Sequence, residues 1–359
     1  MKLFLHIDLN QFFVACERLR NNNLINKPVV IGVYSGRSET SGAVATASYE
    51  ARKYGIKSGM PLSEAYKIAK EVKEQEKIEI IFLKHDFEYY EQLSNQIFDD
   101  IKKISNIQQI SIDECFIELD NSNYEEAERL AKNIEAIIRN HGLECSIGIA
   151  NTQITAKIAS GMKKGILLVK NGRDFISDLD ISEMPGIGKK TEKILRERGI
   201  NKIGELANMN IAELIKLFGE KHGKYLFNAS KNLEIYYLEK NSEKEKQISR
   251  IITLRQDSYD YEYLKINLEQ LIEELYNEIQ KEKFLIKTIQ ISGITNELKT
   301  FTKRKTLLNY TDNPSVIKKN AFSLLEEFTK KLKDEKILLR RIGISFSDLQ
   351  YAEKQTKLF

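Results

Sequence analysis

The sequence predicts a multidomain α+β protein, on three observations. Apolar strand-like runs alternate with amphipathic helical stretches through residue 150. Residues 167–233 then change to short helices punctuated by glycine turns, as in PGIG, ERGI and FGEKHG. After the charge-rich EIYYLEKNSEKEKQ, which lacks apolar periodicity and reads as a linker, a second α+β set follows. A chain of 359 residues is also too long for one ordinary core.

In order, KLFLHIDL and KPVVIGVY read as buried strands, and SEAYKIAKEVKEQ as an amphipathic helix. KIEIIFLKHD is a further strand, followed by a helix through EYYEQLSNQIFDDIKKI. IQQISIDECFIELD alternates on both sides of Asp113 and predicts a hairpin. A helix over EEAERLAKNIEAIIRNHG stops at Gly142, and LECSIGIA is the last strand of the group. The group predicts one sheet with an early helical insertion. Beyond the linker come strand KQISRIITL, a helix to about Lys281, strands LIKTIQISGIT and TFTKRKTLLNY, a second long helix and strand ILLRRIGISF.

Composition excludes several classes. Hydrophobic residues at 42% and charged ones at 30% suit a folded globular chain rather than a disordered one. No apolar run has the length of a membrane span, and MKLFLHID meets Asp8 too early for a signal peptide. Cys16, Cys115 and Cys145 have neither CxxC nor Cys/His spacing, which fits small buried residues in a reducing cytoplasm. The net charge of +4 is unevenly spread: residues 1–166 are slightly acidic, and the positive excess sits in 167–233 and 246–349. That split suits later domains holding a polyanion and a first domain holding cations.

Residues 111–119, SIDECFIEL, place Asp113 and Glu114 side by side in a strand-like run. Neighbours on a strand face opposite ways, so two adjacent carboxylates mean a solvated turn or a site. Asp8 ends the first strand; if that strand neighbours the hairpin, three carboxylates converge, and they cannot all stay ionised without cations. Hard oxygen ligands suit Mg²⁺, and two such ions would serve a phosphoryl displacement. Nucleotide cyclases and some nucleases use the same pattern.

In residues 41–61, SGAVATASYEARKYGIKSGMP, Thr46, Tyr49 and Arg52 follow small residues at roughly helical spacing. Arginine and hydroxyl groups at a helix start suit a triphosphate; an alanine-rich helix packed on a sheet is the alternative. MPGIGKKTEKILRERGI, residues 184–200, predicts a helix-hairpin-helix. Gly186 and Gly188 would let backbone N–H groups reach a DNA phosphate, with Lys189 and Lys190 adding charge, whereas a plain αα-hairpin needs neither.

With these residues in hand the chain resembles the Y-family, translesion DNA polymerases, closest to the DinB-type branch of bacterial polymerase IV and its archaeal relatives. HIDLNQFF, YSGRSETSGAVATASYEARKYGIKSGMP, SIDECF, PGIGKKT and RRIGISF carry the resemblance in family order, from residue 1 to about 349. It implies a right-hand polymerase: palm at 1–10 and 77–166, fingers at 11–76, thumb at 167–233, linker at 234–245, little finger at 246–349 and a tail at 350–359. It implies low-fidelity, template-directed synthesis past damaged bases, with dNTP and primer-template DNA as partners, by a cytoplasmic monomer. Asp8, Asp113 and Glu114 would be catalytic and, with the carbonyl of Leu9, would hold two Mg²⁺ ions. Phe13 matches the steric gate that excludes ribonucleotides, and Phe12 lies beside it. Thr46, Tyr49, Arg52 and Lys164 match the triphosphate contacts, and Ala43 and Ala45 would roof the templating base. Arg340 and Arg341 fall where the family grips template backbone; an exposed edge-strand pair is the alternative.

The sequence departs from the family at Asn10, where many relatives carry a second Asp, and in ANTQITAKIASGMKKGI, which is two residues short and carries Thr152, Gln153 and Gly161. The terminal QTKLF resembles the bacterial sliding-clamp motif, so Gln355, Leu358 and Phe359 are expected to bind a clamp. Two rivals stand beside the polymerase: a nucleotidyl cyclase, which needs no duplex and so no helix-hairpin-helix, and a non-catalytic DNA-binding scaffold.

Overall fold

Strand β1 (Leu3–Leu9) is buried almost throughout and carries Asp8 near its end. Helix α1 (Phe12–Arg20) starts at once, because Gln11 turns the chain with left-handed backbone, φ 42° and ψ 46°. Then come β2 (Val29–Tyr34), β3 (Gly42–Ala47), the single-turn α2 (Tyr49–Arg52), α3 (Leu62–Glu76) and β4 (Ile81–Lys84). β2 and β4 pair in parallel, which needs a crossover, and α3 lies within that connection; with β3 they form a sheet of order β3-β2-β4. The structure is a computed structural model and describes residues 1–233 and 247–351. The predicted linker at 234–245 and the QTKLF peptide with Gln355, Leu358 and Phe359 lie outside the described residues.

Helix α4 (Phe87–Lys102), β5 (Gln108–Gln109), β6 (Glu114–Leu119), α5 (Tyr124–Asn140), β7 (Cys145–Ala150), α6 (Gln153–Met162) and β8 (Gly165–Leu168) complete the main layer. Its sheet runs β5-β6-β1-β7-β8, with β1 central and antiparallel to both neighbours. Asn123 and Glu126 form a capping box that starts α5, and Gly142, at φ 76°, turns the chain beyond its end. A Cβ on Gly148 would meet the Ala156 carbonyl at 1.9 Å, so α6 can lie against β7 only because that residue has no side chain. Helices α7 (Gly172–Ser177), α8 (Lys189–Arg196), α9 (Ile203–Ala207), α10 (Ile211–Phe218) and α11 (Glu220–Ser230) pack round Ile181, Leu195, Leu206, Leu214 and Leu226.

The elements β9 (Gln247–Ser258), α12 (Tyr261–Glu282), β10 (Phe284–Ile294), β11 (Thr300–Thr311), α13 (Pro314–Asp334), β12 (Leu339–Ser347) and β13 (Gln350–Tyr351) build a second compact unit with Tyr34–Gly42. Its sheet runs β11-β10-β12-β9, and leucines of α12 and α13 fill its core.

Three sequence expectations change. Gly42–Ala47 is a strand, so residues 41–61 are neither a packed alanine-rich helix nor helically spaced from Thr46. Glycine and alanine are small enough for either state, and pairing with β2 decides. The early insertion is therefore not purely helical: it carries β2 and β3, and KIEIIFLKHD joins their sheet rather than the main one. Arg340 and Arg341 sit on β12, an inner strand, which removes the edge-strand alternative.

Candidate active site

Asp113 lies in the bend of the β5–β6 hairpin and Glu114 is the first residue of β6, so the adjacent carboxylates mark a turn and a site at once. Register does the rest. Asp8 stands directly opposite Glu114 across β1 and β6, and Leu9 N–H donates to the Asp113 carbonyl at 2.9 Å. All three carboxylates are half-buried.

A cavity of about 490 Å³ opens here, lined by Asp8, Leu9 and Asp113 together with Phe12, Phe13, Thr46, Tyr49, Arg52 and Lys164. The structure thus brings together every predicted nucleotide contact and two of the predicted acidic residues. Glu114 is not in the lining: its Oε2 is 2.5 Å from Lys157 Nζ and 3.7 Å from His6 Nε2. Among the described residues no three His, Cys, Asp or Glu side chains close round one point.

Electrostatics follow from this packing. Burial, then the charges of Glu114 and Asp113, pushes the Asp8 carboxyl up to about 7. Burial also raises Asp113, against the hydrogen bond from Ser111 Oγ at 2.6 Å. Burial acts upward on Glu114 too, but contacts with His6 and Lys157 overcome it and hold that carboxyl at about 2. Hard oxygen donors with excess negative charge are what a divalent cation of the Mg²⁺ type requires, so the residues fit such an ion.

On the other wall-forming elements, Tyr49 N–H donates to Gln11 Oε1 at 3.0 Å, tying α2 to the turn before α1. Two cations face the Tyr49 ring, Lys164 Nζ at 4.1 Å and Arg52 Cζ at 5.3 Å from its centroid. Arg52 and Lys164 are exposed to the cavity, as is Lys163, so both lysines reach the same space.

Away from the cavity, Gly186 has φ 87° and Gly188 caps α8, which begins with exposed Lys189 and Lys190. Tyr225 Oη donates to the Pro185 carbonyl at 2.6 Å and holds this turn in place. In the second unit Arg340 is half-buried and Arg341 exposed.

Sequence reasoning missed Lys157, His6, Gln11 and Ser160. Lys157 and Ser160 lie three apart on α6, a spacing that shares one helix face; nothing local tied His6 to either. Ser160 Oγ is 2.7 Å from His6 Nδ1.

Residues 7–161 match the impB/mucB/samB family, 245–358 its C-terminal domain, and 182–233 the thumb domain of DNA polymerase iota. A protein named DNA polymerase IV from Nitrosopumilus maritimus is 35% identical across 99% of this chain and 97% of its own length. A Y-family DNA polymerase chimera of Dbh and Dpo4 superposes with a TM-score of 0.85 at 31% identity, covering 98% of this chain and 100% of that one. An insertion ternary complex of Dbh DNA polymerase gives 0.66 at 30% identity, with the same coverage. The chain belongs to the impB/mucB/samB family, the Y-family DNA polymerases of the DinB type.

Proposed function

We propose that this chain copies damaged template DNA with low fidelity, joining dNTPs to a primer 3′-hydroxyl in a two-metal nucleotidyl transfer. The observation that carries it is one cavity lined both by Asp8 and Asp113 and by Thr46, Tyr49, Arg52 and Lys164. Acid on one side and hydroxyl and cationic groups on the other suit a nucleoside triphosphate whose reacting phosphate must meet a cation.

Asp8, Asp113, Glu114 and the Leu9 carbonyl would hold two Mg²⁺ ions, which when bound supply the charge that activates the primer hydroxyl and stabilises departing pyrophosphate. Thr46, Tyr49, Arg52 and Lys164 would bind and orient the triphosphate, with Phe12 beneath it. Phe13 would bar a ribose 2′-hydroxyl. Small side chains at Ala43 and Ala45 would leave room over the templating base. Gly186, Gly188, Lys189 and Lys190 would hold duplex backbone, and Arg340 and Arg341 the template strand. In domain terms the palm is 1–10 and 77–166, the fingers 11–76, the thumb 167–233 and the little finger 246–349.

Primer extension with Mg²⁺ and dNTPs, on an intact template and on one with a single abasic site, tests this. Short products past the abasic site are expected; DNA binding without any extension would sink the proposal in favour of a scaffold. A clamp contact through QTKLF is tested by deleting those residues, which should remove clamp-stimulated synthesis and leave basal synthesis intact.

A further inference from the structure

The cavity wall at Phe13 has a buried charge behind it. Phe13 stacks on Tyr90, ring centroids 4.7 Å apart and planes 18° from parallel. Tyr90 is wholly buried, and its hydroxyl donates to Glu17 Oε1 at 2.6 Å. Glu17 is only 5% exposed, and Arg20 grips it through two hydrogen bonds of 2.6 and 2.9 Å while also reaching Asp86 at 2.9 Å.

Such a chain of polar groups is an expensive way to fill space. A leucine facing a phenylalanine would pack as well without burying a carboxylate and a hydroxyl. What the polar version adds is direction. Phe13 and Glu17 are four apart, one turn along the same face of α1, and both engage Tyr90: one its ring, the other its hydroxyl. Tyr90 is thereby held at both ends against the helix that presents Phe13. Asp86 caps α4, so Arg20 also couples α1 to the start of the helix carrying Tyr90. Hydrophobic packing alone leaves an aromatic ring free to slide and swing; a hydrogen bond at the para oxygen anchors the far end of its long axis.

We propose that Tyr90, tethered by Glu17, is a positioning residue for selectivity against ribonucleotides: it fixes the depth at which the Phe13 ring sits. The proposal rests on Phe13 acting as the sugar gate, and the test separates the two. The measurement is the ratio of ribo- to deoxynucleotide kcat/KM, with ATP and dATP opposite template thymine, for the full chain and for Phe13→Ala, Tyr90→Phe, Glu17→Leu and Tyr90→Phe with Glu17→Leu.

Phe13→Ala is expected to raise the ratio at least about tenfold, and Tyr90→Phe, which keeps the stack and loses the tether, about fivefold. Glu17→Leu removes the same bond, so the double variant should match the single ones rather than multiply them. A purely structural Tyr90 would lower both substrates together and leave the ratio where it was. If Phe13→Ala raises the ratio and Tyr90→Phe does not, the proposal is overturned and the gate stands. If Phe13→Ala itself leaves the ratio unchanged, the gate falls and takes this proposal with it. Tyr90→Phe removes one oxygen, so the test survives even if Glu17→Leu does not fold.

Discussion

Lys157 and Glu114 form an ion pair at 2.5 Å, each side chain 23% exposed, at the corner where Asp8 and Asp113 also lie. The lysine is on α6 and the glutamate on β6, and its charge also favours ionisation of Asp8 and Asp113. It acts as a resident counter-ion for acidic groups that a divalent cation would otherwise have to neutralise.

That relationship predicts a metal-dependent stability effect. Lys157→Met removes the lysine partner of a partly buried carboxylate, leaving it only His6, and should cost about 2 kcal/mol when metal is chelated. In millimolar Mg²⁺ the loss should shrink, because a cation bound to the folded state takes over part of the compensation. Thermal melts in EDTA and in Mg²⁺ read the difference. Equal losses in both would reduce Lys157 to an ordinary ion pair.

Asp8 predicts a pH dependence. Its folded carboxyl titrates at about 7 against an ordinary value of 3.8, so the fold favours the protonated form. Stability from this group is therefore present below the ordinary value and lost as pH rises through about 7. Melts without metal should fall across that window, and Asp8→Asn should flatten the decline. Glu114, held at about 2 against an ordinary 4.5, works in the opposite sense: its stabilisation is present above 4.5 and lost as pH falls through about 2, so the two windows meet only near pH 4. At pH 7, Mg²⁺ binding should release protons, measurable by calorimetry in two buffers of different ionisation enthalpy. An unchanged heat between buffers would argue against Asp8 as a ligand.

Asp113→Ala should collapse primer extension by about a thousandfold or more while duplex binding in a gel shift stays near the parent value. The bend loses one carboxylate, but the backbone bond from Leu9 N–H to residue 113 survives the change. Near-full extension by this variant would show the site to be wrongly assigned.

The turn before α8 predicts two different failures. Lys189→Ala with Lys190→Ala should weaken duplex binding and lower the salt slope by about 1 to 2, the count of lost phosphate contacts. Gly186→Ala should weaken binding through geometry instead. At φ 87° an added Cβ is strained, and it would meet the Tyr225 ring at 2.8 Å. Its salt slope should stay close to the parent's. A lysine pair whose loss leaves the slope unchanged would not be touching phosphate.

Much of this was legible in the residues alone, where the constraint is local. Asp113 and Glu114 stood out because adjacent acids break strand alternation, and the hairpin they sit on is where the pattern put it. Gly186 and Gly188 stood out as a glycine-rich turn before a helix, and the structure gives Gly186 a φ of 87° and puts Gly188 at the start of α8, demands that two or three residues set by themselves. The helices from α3 to α5 follow their apolar period within a residue or two. The strand at Gly42–Ala47 was not legible, because small side chains commit to neither state until a neighbouring strand offers hydrogen bonds.

What only tertiary structure decided is who stands beside whom. The sequence by itself determined the acidic turn, the glycine turn before α8 and the succession of elements, since each depends on neighbours along the chain. It could not show that β1 would lie centrally, opposing Asp8 to Glu114, or that a missing Cβ at Gly148 would let α6 bring Lys157 to that pair. Nor could it join His6 to Ser160, 154 residues apart, or seat Phe13 on Tyr90. Periodicity says which face of an element is apolar; only the packing of all the faces at once says which partner each will meet.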